Sequence, residues 1–172
     1  MPDSVIGAGA LIELAEIAAR SPEGCFVEIG VYKGGSAAYL ASIAEQQKRQ
    51  LFLYDTFSGI PFKGCDDRHE VGDFADTSAD AVRDAIPTAT VVKGVFPDSL
   101  VPMPPVAFVH VDCDQYESVK AACKSMPPLM VNGGALLFDD YGCLPGATSA
   151  VNESFPEVSL TAHRKAIVYV AR

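Results

Sequence analysis

Five short apolar runs, each closed by glycine or aspartate, limit what this chain can fold into more than any other feature. They cover 25–29 before Gly30, 51–54 before Asp55, 89–93 before Gly94, 106–111 before Asp112 and 135–138 before Asp139. Runs of this length are too short for buried helices and suit strands covered on both faces. Segments with helical spacing separate them: an N-terminal helix over 3–20 stopped by Ser21-Pro22, an alanine-rich one over 35–47, and a weak one over 78–85. Two more cover 116–126, ended by Pro127-Pro128, and 147–155. Strands alternating with helices predict a parallel sheet with helices on both faces. Two closing strands near 158–161 and 166–170, with no helix between them, predict an antiparallel last strand. The expectation is a Rossmann-like α/β domain with a mostly parallel seven-stranded sheet, one domain over 1–172.

Ligands of open α/β sheets bind beyond the carboxyl ends of the strands, so chemistry is sought there. The turn Asn132-Gly133-Gly134 is expected to lead into the fifth strand. The acidic, Gly- and Pro-containing stretch over 58–78 has no clear period until its last residues, and a loop of that length reads as an active-site lid.

Composition removes several classes. A net charge of −9 argues against a nucleic-acid binder or a protein held on anionic membranes, since both need a basic face. Five cysteines, an odd number without a C-x-x-C pair, fit neither a disulfide framework nor a zinc ribbon and read as reduced thiols. No signal peptide or long apolar span is evident, and the expected location is cytoplasmic.

The first strand runs into VEIGVYKGGSA over 27–37. Gly30 permits a tight turn, and Gly34-Gly35 let a ligand approach the start of the next helix. Neither G-x-x-x-x-G-K-[ST] nor G-x-G-x-x-G is present, and Gly7-Ala-Gly9 lacks a preceding strand and a third glycine. A wide loop with Glu28 two residues before Gly30 suits a ligand bearing an ammonium group. Asp55, closing the second strand, can accept ribose hydroxyls or stand as a solvated strand-end aspartate. Tyr32 and Phe57 can pack on a ligand or on the core.

Strand four ends His110-Val-Asp112-Cys-Asp114, and strand five ends Phe138-Asp139-Asp140. Adjacent strands would bring Asp112 to the Asp139-Asp140 pair. Two carboxylates about 5 Å apart repel by roughly 3 kcal/mol at an effective dielectric near 20, so the group needs raised pKa values or a hard cation such as Mg²⁺. The competing reading makes these acids helix caps, and Asp114 before Tyr116 is assigned that structural role. His110 reads as a core residue. His69 either stands solvated in the lid or reaches an acceptor when the lid closes. Cys113, between two acids, is expected to be a poor nucleophile.

Five pieces together resemble the macrocin O-methyltransferase (TylF/MycF) family of class I methyltransferases: VEIGVYKGGSA, LYDTFSGIP (53–61), HVDCDQYES (110–118), NGGALLFDDYG (132–142) and PGATSAVNE (145–153). The resemblance implies S-adenosylmethionine as donor, Mg²⁺ or another divalent cation on Asp112, Asp139 and Asp140, and methylation of a hydroxyl on a small molecule such as a natural-product sugar. The expected donor-binding set is Glu28, Gly30, Tyr32, Gly34, Ser36, Asp55, Phe57, Gly94 and Asp112. The expected catalytic residues are Asp112, by analogy a deprotonating group, and His69. A homodimer is compatible with the family. The rival readings are a nicotinamide-dependent oxidoreductase, which the glycine spacing disfavours, and a non-catalytic nucleoside-binding module.

Overall fold

The computed structural model describes residues 6–170. Among these residues five α-helices and seven strands follow one another, with no helix between β3 and β4 or between β6 and β7: α1 (Ala8–Arg20), β1 (Cys25–Ile29), α2 (Gly35–Gln46), β2 (Leu51–Asp55), α3 (Ala79–Ala85), β3 (Thr90–Lys93), β4 (Val106–Val111), α4 (Tyr116–Ser125), β5 (Met130–Phe138), α5 (Pro145–Ser154), β6 (Ser159–Leu160) and β7 (Ala166–Tyr169). The sheet order is β3-β2-β1-β4-β5-β7-β6. The first five strands are parallel, β7 runs antiparallel to β5, and β6 antiparallel to β7. The expected architecture is present. Residues 3–5 of the expected first helix lie outside the described residues, and α1 itself begins at Ala8.

Each face of the sheet carries its own core. Phe26, Leu53, Phe108 and Leu137 pack against Leu14 of α1, Leu40 of α2 and Val82 of α3. Val27, Tyr54, Val109 and Phe138 pack against Val119 and Ala122 of α4 and Ala150 and Val151 of α5. All six β4 residues are buried, which is why that strand is apolar without alternation. Burying each large side chain contributes about 1.5–3 kcal/mol.

Two local expectations change. Asn132-Gly133-Gly134 is not a turn before β5 but part of it, at a register shift between Val106 and Phe108 of β4. A bulge and a turn recruit the same residues, so the local signal is shared. Asp114 does not cap α4. Its own φ is 59°, and the first N–H of α4, that of Tyr116, is taken by the lid residue Asp67 at 2.8 Å.

Candidate active site

Strand order reverses between β1 and β4, so the connections leaving these strands diverge and open a crevice at their carboxyl ends. A cavity with about 960 Å³ of free space, partly open to solvent, lies there. Its walls come from the loop after β1 (Gly30, Tyr32), the first turn of α2 (Ser36), the end of β2 (Asp55), Gly94 after β3, and Asp112 and Asp114 after β4. Ile60, Phe74, Val95 and Phe96 give it an apolar side, beyond what the motif reading anticipated.

Gly30 makes the floor possible. Its φ is 89°, and a Cβ there would lie 1.8 Å from the Asp112 carbonyl oxygen. The end of β1 therefore sits directly against the backbone that carries Asp112. Asp55 holds the loop in place: its Oδ2 accepts the N–H groups of Val31 (2.7 Å) and Tyr32 (2.9 Å), and its Oδ1 accepts that of Phe57 (2.7 Å). Thr56 Oγ1 also lies 3.5 Å from Oδ1, but its single proton goes to the Gly59 carbonyl at 2.7 Å, so Oδ1 keeps capacity for one more donor from the cavity.

Three residues of the expected donor set do not line the cavity. Phe57 is buried in the core beside α2 and α3. Gly34 lies beyond the wall, against Ile86 and Val82. Glu28 is fully buried, and its Oε1 lies 2.8 Å from Nδ1 of His110, its partner across the sheet. Strand alternation explains this: Glu28 shares a sheet face with Phe26 instead of projecting from the strand end. His110 is a core residue as expected. Its Nε2 and Glu28 Oε2 find no hydrogen-bond partner among the described residues.

Asp112, Asp139 and Asp140 do converge. Each offers one oxygen, and these atoms lie within 4.8 Å of one another at the ends of β4 and β5. The Asp114 N–H donates to Asp140 Oδ2 at 3.1 Å, joining the two strand ends. Burial, then the charges of Asp140, Asp139, Asp114 and Glu28, push the Asp112 carboxyl well above its ordinary value. Burial, then Asp114 and Asp139, raise Asp140 to about 7. Burial, then Asp139, Asp55 and Asp67, raise Asp114 to about 6. Such crowding is what a hard cation would relieve, and an all-carboxylate donor set fits one. Burial and the same acids push the Cys113 thiol up, as expected of a poor nucleophile.

The 58–78 segment, expected as a lid, is a folded loop rather than a loose one. Ile60 donates to the Asp73 carbonyl at 2.9 Å and accepts from Gly72 at 3.0 Å, closing its neck. Asp67, 6% exposed, accepts from Gly64 at 2.8 Å as well as from Tyr116. Gly146 in the first turn of α5 has no room for a Cβ, which would lie 2.2 Å from Asp67 Oδ1. At its far end Asp76 accepts from Tyr32 Oη at 2.8 Å and from Lys33 Nζ at 2.5 Å. Within the lid, His69 is partly buried. Its Nε2 is 3.6 Å from Asp114 Oδ1, and its ring meets Phe74 edge-on at 5.0 Å. His69 is thus near the acids but outside the cavity wall.

The macrocin-O-methyltransferase (TylF) family model matches residues 10–170. The chain is 28% identical over 138 residues to the 8-demethyl-8-(2,3-dimethoxy-α-L-rhamnosyl)-tetracenomycin-C 4′-O-methyltransferase of Streptomyces olivaceus, covering 69% of this chain and 53% of that protein. It is 27% identical over 158 residues to the demethyldecarbamoylnovobiocin O-methyltransferase of Streptomyces niveus, covering 80% of this chain and 60% of that protein. The chain therefore spans a little over half the length of these curated relatives. Among solved structures, the O-methyltransferase NovP superposes with a TM-score of 0.86 at 23% identity, over 98% of this chain and 82% of that one. The calicheamicin methyltransferase CalS11 gives 0.73 at 21% identity, over 93% and 77%. These neighbours share the class I methyltransferase fold. With nearly all of its length matched by one family model, the chain belongs to the macrocin-O-methyltransferase family.

Proposed function

We propose that this chain transfers the methyl group of S-adenosylmethionine to a hydroxyl of a small glycosylated acceptor, assisted by a divalent cation on Asp112, Asp139 and Asp140. The observation that carries the reading is the convergence of these three carboxylates, one of which, Asp112, lines a cavity floored by the glycine loop. Family membership and the names of the relatives support the donor and the sugar-bearing acceptor.

Methyl transfer moves a CH₃ from a sulfonium sulfur to an oxygen. The S–C bond breaks as the C–O bond forms, and the acceptor hydroxyl loses its proton. The products are a methyl ether and S-adenosylhomocysteine. Little covalent help is needed, so positioning and proton removal are what the protein supplies. The apolar wall of Ile60, Phe74 and Phe96 suits the adenine, and the free capacity of Asp55 Oδ1 suits a ribose hydroxyl. Acids in the same wall, Asp112 and Asp114, suit the cationic end of the donor. Asp112, Asp139 and Asp140 would hold a Mg²⁺ or similar ion, which would supply charge to orient the acceptor oxygen and lower its pKa. Asp112, which lines the cavity and belongs to the carboxylate trio, is the first candidate to take the acceptor's proton, and His69, 3.6 Å from Asp114, is a second.

Incubating the protein with methyl-labelled S-adenosylmethionine and a panel of glycosides tests this. Label should reach the acceptor, stop with EDTA and resume with Mg²⁺. Full transfer in EDTA would remove the cation, and failure to bind S-adenosylhomocysteine would remove the donor.

A further inference from the structure

Lys165 belongs to no part of the mechanism above, yet its ammonium sits against one of the three converging carboxylates. Register explains how it arrives there. Ala166 of β7 pairs with Phe138 of β5, so the residue before the one faces the residue after the other, Asp139. The Lys165 backbone is held on both sides by Thr161, its N–H donating to Thr161 Oγ1 at 3.2 Å and its carbonyl accepting from Thr161 at 2.9 Å. Glu13 of α1 in turn accepts from Ala162 at 2.7 Å and His163 at 3.3 Å, fixing the β6–β7 turn. From this fixed base Nζ donates to the Asp139 carbonyl at 2.6 Å and to Asp139 Oδ2 at 2.8 Å. Both side chains are mostly buried, 17% and 16% exposed, which sets this pair apart from the exposed ion pairs of the surface. The hairpin thus delivers a monovalent cation to the place where a divalent one is expected.

We propose that Lys165 is an internal counter-cation that competes with the divalent ion for Asp139 and so keeps the affinity of that site low and its occupancy exchangeable. The proposal rests on the reading of Asp112, Asp139 and Asp140 as a cation site. A divalent ion shared by the three carboxylates would stand a few ångströms from the ammonium and would be repelled by it. The ammonium also takes one of the two oxygens that Asp139 has to offer. A site built this way holds its aspartates in place without metal and still lets the metal leave. Lys165 is on this account a positioning residue that touches neither donor nor acceptor.

The test is calorimetric titration of MgCl₂ into the EDTA-stripped, dialysed protein and its Lys165→Met and Lys165→Arg variants, at one pH. Met keeps the stem and removes the charge, and Arg keeps the charge. Lys165→Met should bind Mg²⁺ about tenfold tighter or more, while Lys165→Arg stays near the unmodified protein. Equal or weaker binding by Lys165→Met, with the unmodified protein binding normally, overturns the proposal and leaves the cation site standing. No uptake by any of the three overturns both. Uptake by Lys165→Met alone supports both. A second measurement needs no variant: the Lys165 ammonium resonance of isotope-labelled protein should move as Mg²⁺ saturates the site. A resonance unmoved at saturation overturns the proposal even if Lys165→Met fails to fold.

Discussion

At the scale of single residues, the acids at the ends of β4 and β5 dominate. Asp114 and Asp140 titrate near 6 and 7 in the folded protein against an ordinary 3.8. The folded state therefore binds more protons than the unfolded chain between roughly pH 4 and 7, and stability contributed by these groups falls as pH rises through that window. Melting of the EDTA-treated protein should accordingly be lower at about pH 8 than at about pH 5 on account of these groups, and Mg²⁺ should raise Tm more at the higher pH. Equal Mg²⁺ shifts at the two pH values would contradict the clustering. Asp112→Asn removes one charge from the crowd. It should stabilise the metal-free protein by about 1–3 kcal/mol in denaturant titration while eliminating methyl transfer. Gly30→Ala should do the reverse to the fold, losing at least about 3 kcal/mol, because its Cβ meets the Asp112 carbonyl.

At the scale of elements, the 58–78 loop is joined to the two helices that follow β4 and β5, the strands that end in the three aspartates. Asp67 serves the first turn of α4, where no side chain of that helix does so, and crowds that of α5. Asp67→Ala should cost about 1–2 kcal/mol in denaturant titration, and amide exchange over 60–73 should accelerate more than in the sheet. Unchanged lid exchange would mean that the neck at Ile60 holds the loop alone. This element also shows where sequence reasoning stops. The strand ends were legible because glycine and aspartate close each apolar run, so Asp112, Asp139 and Asp140 could be placed together from spacing alone. Local rules favour a neighbour and point to Asp114 as the cap of α4, whereas the group that serves it is 49 residues away in sequence. The distance of Glu28 from Gly30 points it at a ligand, but strand alternation turns it toward His110. Lys165 could be matched to Asp139 only after the β5–β7 register was known.

At the scale of the whole molecule, one sheet holds a cavity at its topological switch and an acid cluster one strand further on, with a hairpin that brings a lysine to the cluster. The proposed donor and cation sites share Asp112, which lines the cavity and belongs to the trio. Binding at one should therefore be felt at the other. Saturating S-adenosylhomocysteine should change Mg²⁺ affinity severalfold, and Mg²⁺ should change the affinity for S-adenosylhomocysteine by the same factor. Independent binding of the two would separate the sites that the geometry joins. The most direct measurement of the central claim is anomalous diffraction from crystals soaked with Mn²⁺ and S-adenosylhomocysteine. The account predicts an Mn²⁺ peak in contact with carboxylate oxygens of Asp112, Asp139 and Asp140, beside the nucleoside. A nucleoside bound in the cavity with no anomalous peak at the three aspartates would contradict it.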